Sequence, residues 1–323
     1  MIDIYIVTGF LGSGKTTFLR NLLAGKSSGT GLIVNEIGET GIDHLLLEDV
    51  VQDTVLLPNG CLCCTVSGGL LESIGQLVSV SKTRPGPPLQ RIVIETTGLA
   101  DPRPVVSSVM QYAQEQAGLA FARVITLVDG MNAPLQRKHQ PEWLPQVMTA
   151  DVLVISKVDQ AGAALADRLA RELAILNPLA SIEFNDRPDL HDLVFSSTDQ
   201  HSGGRRSGNP GLAVFGKVEH ANAQTLSIPL QGPVNWIRFS TWLMLVLRHH
   251  SKQLLRAKAV LWEAGESAPA LVQAVQHLVY PPVHLQHLAS GDRKSHVVLI
   301  FRGLDAQLLL RSLHTFLGPQ QEN

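Results

Sequence analysis

Through its first 184 residues the chain alternates short, almost continuously apolar runs with segments whose apolar residues recur every three or four positions. Residues 2–8, 31–35, 54–57, 91–95, 124–129, 152–156 and 181–184, rich in Val, Ile and Leu, predict buried strands. Segments 16–24, 69–81, 104–117 and 163–176 predict amphipathic helices. Near-continuous apolar strands separated by helices imply a mostly parallel sheet covered on both faces, a doubly wound α/β domain.

The pattern breaks between 185 and 224, where the run from His201 to Gly211 has the Gly, Ser and Pro content of a connection. The predicted organisation is a nucleotide-binding type α/β domain over 1–195, a flexible linker over 196–224 and a second domain over 225–318. In the second domain, 225–230 reads as a strand and 235–250 as a helix with Trp236, Phe239, Leu243, Val246 and Leu247 on one face. Strands at 254–261, 271–279 and 296–301 and a helix at 305–317 complete a smaller α+β domain, a helix layer on a largely antiparallel sheet. Trp236, Phe239 and Trp242 are assigned to its core.

Composition narrows the class. Of 323 residues, 45% are hydrophobic and only 17% charged, which suits packed cores rather than a disordered chain. With a net charge of -2 and no basic run longer than a pair such as Arg205-Arg206, nothing suggests a basic footprint for nucleic acid. The first residues pass straight into a strand without a charged leader, and the most apolar helical stretch, 241–247, falls short of the roughly 20 residues that span a bilayer. The expectation is a cytoplasmic protein with no membrane and no nucleic-acid partner. All three cysteines, Cys61, Cys63 and Cys64, lie within four positions, too crowded for bridges, so metal binding or redox work is expected of them.

Gly9-Phe-Leu-Gly12-Ser13-Gly14-Lys15-Thr16-Thr17 satisfies GxxxxGK[ST] directly after an apolar strand and before a helical pattern. Glycines let the backbone curl until successive N–H groups point at phosphate oxygens, and the helix N-terminus adds its positive dipole end. Gly9, Gly12, Ser13, Gly14, Lys15, Thr16 and Thr17 are the expected nucleotide-binding set, with Lys15 on the β- and γ-phosphates and the Thr16 hydroxyl on Mg²⁺. The bland alternative is an ordinary Gly-rich turn. The run 91–98 ends a buried strand with Glu95, suited to orient a Mg²⁺-bound water, followed by Gly98, whose amide can sense the γ-phosphate. Lys15, Thr16, Glu95 and Gly98 are the expected catalytic set.

Ser156-Lys157-Val-Asp159 follows another buried strand and resembles the NKxD base-reading motif of GTPases. An Asp159 carboxylate accepts both N1–H and the 2-amino group of guanine, donors that adenine lacks in that arrangement. Lys157 is expected to lie along the base and to brace the phosphate loop. Ser156 stands where the motif carries Asn, which leaves the degree of GTP over ATP selectivity open.

The cysteines follow a strand, so their loop is expected at the carboxyl edge of the sheet, where the phosphate loop also sits. Three soft sulfur donors favour Zn²⁺ or Cu⁺ over Mg²⁺. With no local fourth ligand, water, Glu36, Glu39 or a partner would complete the set; redox-active thiols are the alternative. Glu36 and Glu39 lie in an acidic, Gly-containing segment after the second strand, in the position of a switch; solvated surface acids are the plainer reading.

Taken together, GFLGSGKTT, NEIGETGID, CLCC, IETTG and SKVD resemble the CobW-type P-loop GTPases, and the runs 254–260, 272–277, 281–284 and 291–293 are similar to the CobW C-terminal domain. The resemblance covers nearly the whole chain. It implies a P-loop NTPase fold and GTP hydrolysis to GDP with Mg²⁺. It also implies Zn²⁺, or Co²⁺ as in cobalamin synthesis, at Cys61, Cys63 and Cys64 with Glu36 or Glu39 assisting, and delivery to a client metalloprotein. A homodimer is open, as is a GTP-gated metal sensor with little turnover. The His-rich tract of many members is missing; only His191, His201 and His220 are scattered there.

Overall fold

The computed structural model describes residues 1–24, 26–35, 55–59, 68–83, 86–195, 214–217, 223–275, 278–280, 282–285 and 294–318. They divide into two compact units, Met1–Ala174 with Ala180–Thr198, and Ile175–Leu179 with Asp199–Asn323.

The first unit is built on a seven-stranded sheet of order β3-β2-β4-β1-β5-β6-β7. Its strands are β1 (Ile2–Gly9), β2 (Thr30–Asn35), β3 (Val55–Asn59), β4 (Arg91–Glu95), β5 (Leu119–Asp129), β6 (Val152–Ser156) and β7 (Ser181–Phe184). Every pairing is parallel. The helices are α1 (Lys15–Leu23), α2 (Gly68–Thr83), α3 (Pro102–Glu115), α4 (Ala133–His139), α5 (Trp143–Thr149), α6 (Val158–Ala161), α7 (Ala163–Leu176) and α8 (Leu190–Phe195). Tyr5, Val7, Leu32, Val34, Val93, Ile125 and Val154 form one core with Phe18, Leu19, Leu22 and Leu23 of α1 and Leu190 and Val194 of α8. The alternate strand residues Ile4, Ile6, Ile92, Ile94 and Leu153 are equally buried, as two-sided coverage requires.

The second unit carries a separate antiparallel sheet of order β12-β11-β10-β14-β9-β8, with β13 pairing β11. Its strands are β8 (Val214–Lys217), β9 (Ala223–Leu230), β10 (Leu254–Leu261), β11 (Ala270–Val275), β12 (Leu278–Val279), β13 (Val283–His284) and β14 (Ser295–Arg302). Helices α9 (Trp236–His250) and α10 (Ala306–Leu317) pack on it. Asn235 caps α9 by accepting from the Arg238 N–H, and Asp305 caps α10 by accepting from Gln307 and Leu308. Phe239 and Trp242 lie in this core, with Trp236 partly buried against it. Trp242 also donates its indole N–H to Ser312 Oγ at 2.9 Å.

The expected α/β core and the smaller α+β unit are both present. Local details differ. Strand β8 falls inside the span read as linker, because its residues find hydrogen-bond partners on β9 from Gln224 to Ser227. The expected strand 271–279 is two strands folded back on each other, with Ala274 opposite Val279. Strand β5 begins at Leu119, before the expected 124, and helices α4, α5, α6 and α8 were not expected. No helix among the described residues is long and apolar enough to cross a membrane.

Phe239 is 1% exposed. Phe239→Ala is expected to destabilise the second unit by about 3–5 kcal/mol through the cavity it leaves, measured as a lowered urea midpoint with an unchanged slope.

Candidate functional site: a phosphate loop on a parallel sheet edge

Strand β1 ends at Gly9 between the carboxyl ends of β4 and β5, and the chain turns there into α1. Gly14 occupies the N-cap of α1 at φ 84, a left-handed conformation that favours glycine, and contributes no side-chain cap. The first turn of α1 thus begins without a side-chain cap, at the kind of helix N-terminus where phosphate is held. Gly12 also has a positive φ, and Ser13, fully buried, donates its N–H to Phe10 O at 3.1 Å to close the loop.

Lys15 is 8% exposed, and its Nζ donates to Gly9 O at 3.0 Å and Phe10 O at 3.4 Å. The ammonium is thus folded over the loop that would hold a phosphate. Thr16 Oγ1 donates to Glu95 Oε1 at 3.2 Å, joining the first turn of α1 to the end of β4. Register explains the meeting, since Val7 of β1 lies opposite Glu95. A hydroxyl and a carboxylate beside a phosphate loop are hard oxygen donors, the set that suits Mg²⁺.

Beyond Glu95 the chain is tied to β1 twice. Thr96 Oγ1 donates to Thr8 Oγ1 at 2.8 Å, and Thr96 N–H donates to Val7 O at 2.9 Å. Gly98 is pressed on the phosphate loop so closely that a Cβ there would lie 2.6 Å from Leu11 N and 2.7 Å from Leu11 Cα. Only glycine fits at that approach.

On the other side of β1, Ser156 at the end of β6 donates its hydroxyl to Ser13 O at 2.7 Å, with Val128 O at 3.3 Å as a weaker second acceptor. The brace expected of Lys157 is therefore made by Ser156. Lys157 is the one non-glycine with positive φ among the described residues, at 55, and its Nζ donates to Asp129 Oδ2 at 2.7 Å. Asp129, which ends β5 and is 1% exposed, also accepts from Met131 N–H, Asn132 N–H and Asn132 Nδ2. Burial alone would raise its carboxyl pKa. The hydrogen bonds from Lys157, Asn132 and Met131 together overcome that and hold it below the usual range.

A cavity of about 450 Å³ opens beside Gly14 and Thr17 and is lined by Lys157, Asp159, Asn185 and Arg187, a size that takes a nucleoside. Asp159, the residue expected to read the base, lines this cavity. Sequence reading missed Asp129, Asn185 and Arg187. The signal for Asp129 was present: like Glu95, it is an acid closing an apolar strand just before a Gly-containing turn.

Cys61, Cys63 and Cys64, expected to bind metal, and the acids Glu36 and Glu39 lie outside the described residues. Their flanking strands are described: β2 ends at Asn35 opposite Asn59, the end of β3, on the same carboxyl edge as the phosphate loop. In the strand order, β3 is three steps from β1, about 14 Å at normal strand spacing.

Fold and edge together define a P-loop nucleotide-binding protein with a separate antiparallel second unit. The chain matches the CobW/HypB/UreG nucleotide-binding domain over residues 3–184 and the cobalamin synthesis protein cobW C-terminal domain over 223–317, and it belongs to that family. It is 29% identical to the zinc chaperone YjiA of Escherichia coli K12 over 305 residues, 94% of each chain. To the zinc chaperone CobW of Pseudomonas aeruginosa it is 34% identical over 205 residues, spanning 54% of this chain and about half, 53%, of that one. The crystal structure of Zn(II)-bound YjiA GTPase from E. coli shares the fold, with TM-score 0.69 and 24% identity over 98% of this chain and 99% of that chain.

Asp129→Asn removes the charge partner of Lys157 and is expected to cost about 1–3 kcal/mol of stability at neutral pH. Because the folded carboxyl titrates below its unfolded value near 3.9, this advantage of the wild type holds above that pH. It disappears as the pH falls through the folded pKa, which paired urea titrations from pH 7 to pH 3 measure.

Proposed function

We propose that this chain is a GTP-hydrolysing metallochaperone that binds Zn²⁺ through Cys61, Cys63 and Cys64 and passes it to a client metalloprotein. One observation carries the reading. The phosphate loop, Glu95, Gly98 and the Ser156–Asp159 segment share one sheet edge, and the strand that leads into the cysteines ends on that edge. The names of the relatives as zinc chaperones support the metal.

In this reading the first N–H groups of α1 and the Lys15 ammonium bind the β- and γ-phosphates, while Asp159 selects guanine from within the cavity. Thr16 and Glu95 would hold Mg²⁺, which supplies positive charge against the β- and γ-phosphate oxygens when bound. Glu95 orients the attacking water, and the Gly98 amide meets the γ-phosphate. Once hydrolysis removes the γ-phosphate, the segment after β4 loses that contact, as switch segments do. Glu36 and Glu39 follow β2, which pairs with both β3 and β4, and lie in the sequence between the phosphate loop and the cysteines; in this reading they join the zinc ligands. Zinc is cargo here; three thiolates select it over Mg²⁺. The site of action is the cytoplasm.

Purified protein is expected to release phosphate from GTP, and Lys15→Ala to slow that at least about 100-fold, the loss typical of a removed transition-state donor. Elemental analysis is expected to find bound zinc in the wild type and none in the Cys61→Ser, Cys63→Ser, Cys64→Ser triple variant. Zinc retained by the triple variant would refute the assignment of the ligands. A preference for Co²⁺ over Zn²⁺ in competition would move the reading to cobalt handling.

A further inference from the structure

Helix α5, absent from the expectations, carries a polar side chain that the proposed reaction has not used. Gln146 is 1% exposed. Its Nε2 donates to Gly98 O at 3.1 Å and to Ala100 O at 3.0 Å. Its own main chain is fixed on both sides: its N–H donates to Glu142 O at 3.2 Å, and its carbonyl accepts from Thr126 Oγ1 of β5 at 2.9 Å. The two carbonyls it grips belong to one tight turn, closed by Ala100 N–H donating to Thr97 O at 3.1 Å. On the opposite side the same turn meets Leu11 of the phosphate loop at Gly98, where no Cβ fits.

A buried carboxamide with both amide hydrogens committed to consecutive parts of one loop is a specific device. Packing alone would place an apolar side chain here; a buried Gln is costly unless it is bonded, and among the described residues its Oε1 accepts no hydrogen bond. The cost is offset by a turn whose orientation is set from outside it. Gly98 carries the amide assigned above to the γ-phosphate, and the peptide plane leaving Gly98 is the one Gln146 holds.

Resting on the proposed GTPase reading, we propose that Gln146 is a positioning residue for hydrolysis. It holds the Thr97–Ala100 turn against the phosphate loop, so that the Gly98 amide meets the γ-phosphate without a separate ordering step. GDP, which has no γ-phosphate, does not draw on this clamp. Gln146 therefore separates triphosphate from diphosphate while touching neither.

The test uses the full chain carrying Gln146→Leu and Gln146→Glu. Gln146→Leu is expected to lower kcat for GTP and the affinity for the slowly hydrolysed analogue GTPγS by about tenfold each, with GDP affinity within twofold of wild type. A glutamate at this position has no donor when ionised and one when protonated, and burial beside two carbonyls favours the protonated form. The GTP hydrolysis rate of Gln146→Glu, divided by that of wild type, should therefore rise as the pH is lowered from 8 to 5.5, while the same ratio for Gln146→Leu stays flat. Wild-type kcat and GTPγS affinity in Gln146→Leu would overturn the proposal. So would equal losses of GDP and GTPγS affinity with a lowered melting temperature, which mark a merely structural residue. If wild type itself hydrolyses no GTP, the GTPase reading fails, and the ratio of GTPγS to GDP affinity in Gln146→Leu still decides the clamp.

Discussion

The parallel hydrogen bonding of β1 between β4 and β5 is the constraint on which the rest of the site depends. It places Val7 opposite Glu95 on one side and Gly9 opposite Leu127 on the other. With that register, the turn leaving β1 has a carboxylate to its one side, at Glu95, and another, Asp129, at the end of the neighbouring strand. A slip of one residue would turn Glu95 to the opposite face of the sheet and away from Thr16. The hydrophobic faces of β1 and β4 hold the register, because both strands are apolar on both sides and bury both.

From that constraint the site follows in layers. The loop itself is closed by its own backbone and by Lys15, then braced from β6 by Ser156 through Ser13 O and from β4 through the Thr8–Thr96 and Thr16–Glu95 bonds. None of these contacts is large alone, at about 1 kcal/mol for a neutral hydrogen bond and about 1.5–3 kcal/mol where Lys15 or Glu95 is a partner. Their effect is preorganisation: the donors already point where phosphate charge would sit, so little rearrangement is needed on binding. Asp129 likewise holds Lys157, which has a backbone conformation that few L-residues adopt, beside the cavity.

The strongest sequence signals were those with length and period behind them. Strands of continuous Val, Ile and Leu and the longer helices, such as α7 and α9, were readable because two or more turns or a full buried strand repeat the pattern. Helices α4 and α5 are only seven residues each, and Pro134 and Pro145 sit within their first turns, so their brief periodicity is indistinguishable from that of a loop. Lys15 and Thr16 could be assigned because the phosphate-loop motif is local in the chain, and Glu95 because it closes an apolar strand shortly before a glycine. Gln146 and the Ser156–Ser13 bond could not, since each joins elements far apart in sequence, and a mid-helix Gln reads as a surface residue until the fold buries it. Lys157 shows the limit from the other side: its motif was recognised, but its partner Asp129 depends on where β5 ends relative to β6.

What unites the two halves of the proposed function is coupling between the triphosphate and the thiolates. Thermodynamic linkage makes it testable from either end, because the factor by which zinc changes nucleotide affinity must equal the factor by which nucleotide changes zinc affinity. The direct measurement is GTPγS affinity of the wild-type chain, titrated at saturating Zn²⁺ and again with zinc chelated. A coupling of about 1–3 kcal/mol predicts a shift of roughly 5- to 150-fold, absent when GDP replaces GTPγS. Identical GTPγS affinities with and without zinc would contradict the account.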